Sequence, residues 1–183
     1  MKVGFDYIGK PSEGLIRVKK GIYPNYKCGF INSSNEIVIP LIYANVRNFS
    51  EGLAAVRCGN WTSDKWGFIN NTGELVIPCI YNYPRPFYGG MAKVLYNNEW
   101  FFIDKAGNSI ISLKEYDGSS RFCNGYAKVW KVNPNNSSDT VFYTIDTLGK
   151  IIQPQTTPNE PSYSKAIEQF LDFLDNKLSS SKG

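Results

Sequence analysis

One unit of sequence is written four times along this chain, and this repetition limits the possible folds more than any other feature. Each copy starts with a glycine that is followed four residues later by a valine, at Gly14, Gly52, Gly90 and Gly125. The starts are therefore 38, 38 and 35 residues apart. A fixed period of this length is typical of solenoids, propellers and linear arrays. We therefore predict a tandem-repeat protein.

Each copy contains three short runs that have the pattern of β-strands. In the first run, residues 91–94 place Ala92 and Val94 on one face of a strand and Lys93 on the other. The second run ends in a polar residue and a turn, at which Asn35 replaces the glycine of the other copies and is predicted to adopt a left-handed backbone. The third run, as in residues 75–78, is β-branched and ends in proline. We expect antiparallel units of three strands.

An aromatic pair with a separation of six residues precedes the glycine of each following copy. The pairs are Tyr43 with Phe49, Tyr81 with Phe87, and Tyr116 with Phe122. Buried aromatic rings supply much of the packing energy of small units. We therefore expect these residues to fill the space between one unit and the next.

Together these segments resemble the WG repeat family, also called KWG. That family repeats a Trp-Gly-aromatic-Ile segment, a glycine turn, a Val/Ile-rich strand that ends in proline, and a Phe-x-x-Gly-Leu-Ala-x-Val segment. The likeness covers residues 5–154, and the signature dipeptide itself is kept at Trp66 and Gly67. The other copies have Cys28-Gly29, Trp100-Phe101 and Phe142-Tyr143. The resemblance implies an all-β tandem architecture, in mainly bacterial proteins, without a common enzymatic activity.

The chain divides into four parts. Residues 1–13 are interpreted as a partial repeat, residues 14–154 as the four β-repeats, and residues 155–162, which are polar and Pro-rich, as a linker. Residues 163–179 place apolar side chains at helical spacing and predict an amphipathic helix. The predicted fold class is thus all-β with one C-terminal α-helix. An open, curved array is favoured over a closed, propeller-like ring.

The connection between the first and second run varies in length, whereas the other spacings are nearly constant. Length variation in repeat proteins collects in loops on one face, which is often the binding face. Every copy brings at least one aromatic residue into this connection. The predicted partner-binding residues are Tyr23, Tyr26, Trp61, Tyr96 and Trp130. Some of these rings are alternatively expected to pack against the sheet.

The composition excludes several classes of function. The chain has no histidine, so it lacks the commonest general base and metal ligand, and no catalytic residue, metal site or cofactor is expected. Its net charge of +4 is mild and its basic residues are scattered, which argues against nucleic acid. Four cysteines without a Cys-x-x-Cys pair favour reduced thiols. No secretion signal or apolar run long enough to span a membrane is visible, so a cytoplasmic location is expected.

These observations predict a non-enzymatic repeat module that binds a protein partner through its aromatic-rich loops. Two alternatives stay open: a carbohydrate or cell-surface binding module, and a purely structural segment of a larger scaffold. Self-association through the C-terminal helix is a further possibility, because an isolated amphipathic helix needs a surface against which to bury its apolar side.

Overall fold

The computed structural model describes residues 4–59, 65–134 and 136–155, and this part of the chain is built from β-strands alone. In chain order the strands are β1 (Tyr7–Ser12), β2 (Leu15–Lys20), β3 (Lys27–Ile31), β4 (Ile37–Tyr43), β5 (Asn45–Val46), β6 (Leu53–Cys58), β7 (Lys65–Asn70), β8 (Leu75–Tyr81), β9 (Tyr83–Pro84), β10 (Ala92–Tyr96), β11 (Glu99–Ile103), β12 (Ser109–Ser112), β13 (Gly118–Ser119), β14 (Tyr126–Asn133), β15 (Asn136–Asp146) and β16 (Ile151–Gln155). The described residues hold no helix that could cross a membrane.

The strands form four antiparallel sheets of four strands each, and every sheet follows the order of the chain. We name them unit 1 (β1–β4), unit 2 (β5–β8), unit 3 (β9–β12) and unit 4 (β13–β16). The second and third strands form the central hairpin of each unit. The first and fourth strands therefore lie at opposite edges of the sheet.

The prediction of three-stranded units with a C-terminal helix is wrong. Each sheet has an additional first strand, which lies before the glycine that starts the repeat. In units 2 to 4 this strand has only two residues, as in β5, where Val46 pairs with Val56. Two residues are too few to show the alternation by which a strand is recognised. The described residues contain no helix, and residues 163–179 lie outside them.

Consecutive sheets pack face to face, and a hydrophobic cluster fills each of the three seams. The predicted aromatic packing between units is confirmed. A phenylalanine from the third strand of one unit meets the phenylalanine that precedes the repeat glycine of the next unit, with ring centroids 4.8–5.0 Å apart. The three pairs are Phe30 with Phe49, Phe68 with Phe87, and Phe102 with Phe122.

The three clusters join unit 1 to unit 2, unit 2 to unit 3, and unit 3 to unit 4. Among the described residues no hydrophobic cluster joins unit 4 back to unit 1. The predicted faces of the second strand are confirmed, since Ala54, Val56, Ala92 and Val94 are all completely buried in these seams. The units thus follow one another as in a linear array.

The turn between the third and fourth strands is built by one side chain. In unit 2 the Asn70 Oδ1 atom accepts hydrogen bonds from the amides of Thr72 and Glu74, at 3.1 and 2.9 Å. Asn32, Asp104 and Asp146 make the corresponding pairs of bonds in the other units. The predicted left-handed conformation at Asn35 is confirmed by its φ of 64°.

The signature glycine makes room for a wide bulge in the fourth strand. In unit 2, Trp66 pairs with Tyr81 whereas Phe68 pairs with Ile77, so β8 has two more residues than β7 between these pairs. A Cβ atom on Gly67 would collide with the backbone of the bulge. Unit 1 has the same arrangement at its own signature glycine. Glycine is required there because the fourth strand passes directly over its backbone.

A second set of contacts ties the turn of one unit to the turn of the next. The Glu13 carboxylate accepts hydrogen bonds from the amides of Glu51 and Gly52, at 2.6 and 2.9 Å. The Glu51 carboxylate repeats this contact with the amides of Gly89 and Gly90, at the same distances. We call these two contacts the carboxylate staples. They hold units 1, 2 and 3 in the same orientation.

The cysteines differ from expectation. Cys58 at the end of β6 and Cys79 in β8 form a disulfide across 21 residues within unit 2, so the prediction of four reduced thiols is wrong for this pair. Cys28 and Cys123 are free. The two bonded residues are not adjacent in the sheet order, and the sequence spacing alone does not bring them together. The bulge of β8 places Cys79 near the end of the central hairpin.

Candidate functional site

The central hairpins of consecutive units end on the same side of the array. At the opposite ends, the Ser12 hydroxyl donates to the Phe49 carbonyl oxygen and the Ser50 hydroxyl donates to the Phe87 carbonyl oxygen, both at 2.7 Å. These bonds join equivalent positions of units 1, 2 and 3. The sheets of units 1, 2 and 3 therefore share one orientation, so the corresponding hairpin ends of these units lie at the same end of the array.

Tyr23 is the most exposed of the predicted site residues that the structure describes. It lies in the loop between β2 and β3 with 74% of its surface exposed, and its neighbour Ile22 is 86% exposed. Tyr26 follows in the same loop but is partly buried. Its ring packs against the cluster between units 1 and 2, with the Lys19 ammonium 4.6 Å from the ring centroid.

Tyr96 and Trp130 lie in strands and not in loops. Tyr96 ends β10, directly before a two-residue turn, and its exposed ring meets the edge of Tyr81 from unit 2 with centroids 6.1 Å apart. Trp130 lies within β14, against Phe142 and directly over Gly118, where a Cβ atom would collide with the indole. Trp61 lies outside the described residues. The binding role of all five residues stays a prediction.

A second exposed surface was missed by sequence reasoning. The fourth strands β4, β8, β12 and β16 each carry an apolar side chain at the same register, 37–46% exposed. These residues are Val38, Val76, Ile110 and Ile152. We call this set the outer-strand row. Because the fourth strand is an edge of every sheet, the row runs along one side of the array.

The signal for this row is present in the sequence. The run Ile37-Val38-Ile39 has three consecutive apolar residues, and side chains of a strand alternate between its faces. Only Ile39 is buried in the seam, so Ile37 and Val38 remain partly in solvent. A strand in the core of an ordinary antiparallel unit would have a polar residue at one of these positions. The third apolar residue in this run therefore indicates that the fourth strand also presents an apolar side chain to solvent.

The row continues toward the hairpin ends. Ile42 and Ile80, near the ends of β4 and β8, are 60% and 40% exposed. The neighbouring Tyr81 pairs with the third strand of its own unit and contacts Tyr96 of the next. Burial raises the pKa of the Tyr81 phenol, and Tyr96 and Asp104 add to this shift. The tyrosine rings thus link the row to the hairpin ends.

Among residues 4–59, 65–134 and 136–155, no three His, Cys, Asp or Glu side chains are grouped so that they could hold a metal ion. The ion pairs described there are exposed or partly exposed lysine–glutamate pairs, at 3.5–3.8 Å. What this side of the molecule offers is apolar and aromatic contact area.

The fold and its surfaces define a tandem β-repeat module. The model of the WG containing repeat family matches residues 3–21, 29–60, 66–100 and 100–129, more than half of the chain, so the chain belongs to this family. The segments 29–60 and 66–100 each run from the third strand of one unit into the central hairpin of the next, and so contain the strands around one seam. No curated protein matches the sequence.

Proposed function

We propose that this chain is a non-enzymatic repeat module that binds a protein partner, and that the contact surface comprises the outer-strand row and the aromatic hairpin ends beside it. The observation that carries this proposal is the recurrence of an exposed apolar side chain at one register in all four units. Exposed apolar surface that extends over several units is typical of interaction sites. Scattered single residues would need no such explanation.

The chemistry of the row favours a protein over a sugar as ligand. Its members are valine and isoleucine, which offer area but no flat ring and no hydrogen-bonding group. Glycan platforms instead need aromatic faces beside polar groups. Protein interfaces combine an apolar centre with aromatic residues and a polar rim. Tyr96 and the exposed Tyr23 at the hairpin ends supply the aromatic part.

The backbone of the outer strands is poorly suited to pairing with a partner strand. Pro40 and Pro78 lie in β4 and β8, where proline has no amide hydrogen to donate, and both strands are bulged at this point. Such features protect the edge of a sheet against strand addition. The partner is therefore expected to dock on side chains, without extending the sheet.

The experiment is affinity capture from a lysate of the source organism with quantitative mass spectrometry, repeated with three variants. The row variant carries Val38→Thr and Val76→Thr, which keep shape and β-propensity but remove apolar surface. The hairpin variant carries Tyr23→Ser and Tyr96→Ser. The control carries Ile8→Thr and Val141→Thr, two exposed apolar positions outside the proposed surface.

We expect one protein to be captured by the wild type and by the control. The row variant should capture about tenfold less of that protein. Binding of that protein is then measured with purified components. Retention by the row and hairpin variants alike would contradict the proposal. So would an activity of the chain on the captured protein that leaves it chemically altered. Circular dichroism and the melting temperature of each variant show that the fold is kept.

A further inference from the structure

The first strands of the units form the edge opposite to the outer-strand row, and this edge has a different chemistry. Three arginines lie at or beside it: Arg47 follows β5, Arg85 follows β9, and Arg17 lies in β2, the strand next to the edge strand β1. Arg47 and Arg85 occupy equivalent positions of units 2 and 3, 38 residues apart. Stacked sheets lie about 10 Å apart, so these two guanidinium groups recur at about that spacing.

Aromatic side chains hold these arginines in place. The Arg47 guanidinium lies 5.3 Å from the Trp66 ring and 4.8 Å from the Tyr83 ring, and Arg85 approaches Tyr83 from its own unit at 5.2 Å. Arg17 donates a hydrogen bond of 2.9 Å to the Tyr7 hydroxyl. Such contacts fix a flexible side chain before a ligand arrives, which lowers the entropic cost of binding.

The charges of these arginines are not neutralised within the described structure. No carboxylate in residues 4–59, 65–134 or 136–155 lies at ion-pair distance from Arg17, Arg47 or Arg85. The Nε atoms of Arg17 and Arg47 are buried and have no hydrogen-bond partner there. Buried polar groups in folded proteins are nearly always paired, so an unpaired guanidinium nitrogen needs an explanation.

A cleft of about 520 Å³ lies between the first strands, lined by Arg17, Arg47, Ser12, Ser50 and Tyr88 among others. Glu13 also lines it, but its carboxylate is engaged in a staple. Hydrogen bonding from Arg47 lowers the pKa of Tyr83, and burial together with the positive charge of Arg85 lowers the pKa of Lys93. Both shifts agree with a positive potential along this edge.

We propose that this edge binds an acidic segment of a polypeptide, whose carboxylates pair with Arg17, Arg47 and Arg85. The planar guanidinium matches a carboxylate with two parallel hydrogen bonds. An extended chain of the polyproline II type has three residues per turn and advances about 3.1 Å per residue, so every third side chain lies on the same face and meets an arginine spacing of about 10 Å. The site is separate from the outer-strand row and does not depend on the function proposed there.

The aromatic rings favour a peptide over single-stranded nucleic acid. Bases bind by stacking on open ring faces. Here Trp66 is 7% exposed, and its ring and that of Tyr83 are occupied by guanidinium groups. Trp100 likewise carries the Lys93 ammonium at 4.8 Å. The edge thus offers fixed positive charge without a free stacking platform.

The test is fluorescence anisotropy with the whole chain and a labelled peptide of repeated Glu-Ser-Gly triplets, which places a carboxylate at every third residue. We expect saturable binding that weakens as salt is raised. Replacing Arg17, Arg47 and Arg85 by Gln is expected to weaken it by about tenfold or more. The matched control replaces Lys27, Lys114 and Lys150 by Gln, removes the same charge, and is expected to change affinity by less than about threefold.

Three results would overturn the inference. Equal weakening by both triple variants would show attraction by net charge alone. Equal binding of a Gln-Ser-Gly peptide would show that the site does not recognise carboxylates. Tighter binding of a single-stranded oligonucleotide of equal charge would assign the edge to nucleic acid. As a second variant, Arg47→Lys keeps the positive charge but cannot form two parallel hydrogen bonds with one carboxylate. We expect its affinity to lie between those of the wild type and Arg47→Gln.

Discussion

Units 1 and 2 differ from units 3 and 4 although all four have the same strand order. In the first two units, the glycine at position 29 or 67 makes room for a bulge of two extra residues in the fourth strand. The turn between their third and fourth strands is built by an asparagine. In the last two, Phe101 or Tyr143 occupies the glycine position and the fourth strand pairs regularly beside it. An aspartate builds their turn.

The staples show the same division. Glu13 and Glu51 tie unit 1 to unit 2 and unit 2 to unit 3, whereas the equivalent position in unit 3 is Gly89, which has no carboxylate. What all the seams share is the phenylalanine pair. Packing of the phenylalanine pair therefore determines how the units stack. The signature glycine, the bulge and the staple are additional features, and a unit that lacks them still forms its four-stranded sheet.

The first test concerns the feature shared by both halves. We expect Phe68→Ala and Phe102→Ala each to lower the free energy of unfolding by about 3–5 kcal/mol, because each leaves a cavity in a closed seam. Chemical denaturation followed by fluorescence measures both. Tyr126→Ala, at a position half exposed, is the control and should change little. A large cost in one half and a small cost in the other would show that the two seams are not equivalent.

The second test concerns the signature glycine. In Gly67→Ala the new Cβ atom would meet the backbone of residues 77–79, and relief requires β8 to move, so we expect a loss of about 1–3 kcal/mol. The control is Gly4→Ala, where nothing lies within 4 Å of the added atom. Denaturation midpoints compare the two. A neutral Gly67→Ala would mean that the bulge is dispensable and that units 1 and 2 can adopt the pairing of units 3 and 4.

The third test removes a staple. Glu51→Ala leaves the amides of Gly89 and Gly90 without their carboxylate, and by analogy with capping residues we expect a cost of about 1 kcal/mol. Residue 51 has a left-handed backbone with a φ of 54°, which strains glutamate and alanine alike, so we expect the substitution to change the backbone strain little. The control is Glu99→Ala, which removes an exposed ion pair at 3.7 Å and should cost less than about 0.5 kcal/mol. Equal costs would reduce the staple to an ordinary surface contact.

The features common to all four units could be predicted from the sequence, whereas the short first strands and the disulfide could not. The period, the strand faces, the interlocking aromatic residues and the turn at Asn35 follow from alternation and side-chain chemistry, which act locally. The two-residue first strands are too short to show a pattern, and they form only because the second strand of each unit offers a free edge. The disulfide likewise depends on a bulge that brings Cys79 toward Cys58.

The candidate surfaces were predictable to different degrees. Aromatic residues in the variable connection could be found from the repeat alignment. The surroundings of each ring could not, because Trp130 packs over Gly118 whereas Tyr23 is exposed in a loop. The arginine edge arises from residues 30 or more positions apart, such as Arg17 and Arg47, which only the stacking of units brings to one cleft. Their common location is a property of the fold.

The smallest expected effect distinguishes the turns of the two halves by their response to acid. Burial acts to raise the pKa of Asp104, but hydrogen bonds from Asn108 and from the amides of Ala106 and Gly107 outweigh it, so its pKa lies below the usual value. Asn70 builds the same turn in unit 2 and does not titrate. The turn of unit 3 is therefore expected to be sensitive to acid and the turn of unit 2 is not.

Because the folded state favours the Asp104 carboxylate, the unfolded chain takes up the proton first as pH falls. The contribution of Asp104 is complete above the unfolded pKa of about 3.9 and is lost as pH decreases through the lower pKa of the folded state. The difference in melting temperature between the wild type and Asp104→Asn should therefore shrink between neutral pH and pH of about 3. Asn70→Asp should gain the same acid sensitivity in unit 2. A difference that is independent of pH in both variants would mean that the turn is held by its backbone bonds, as between Gly107 and Asp104 at 3.0 Å, and that the side chain only follows.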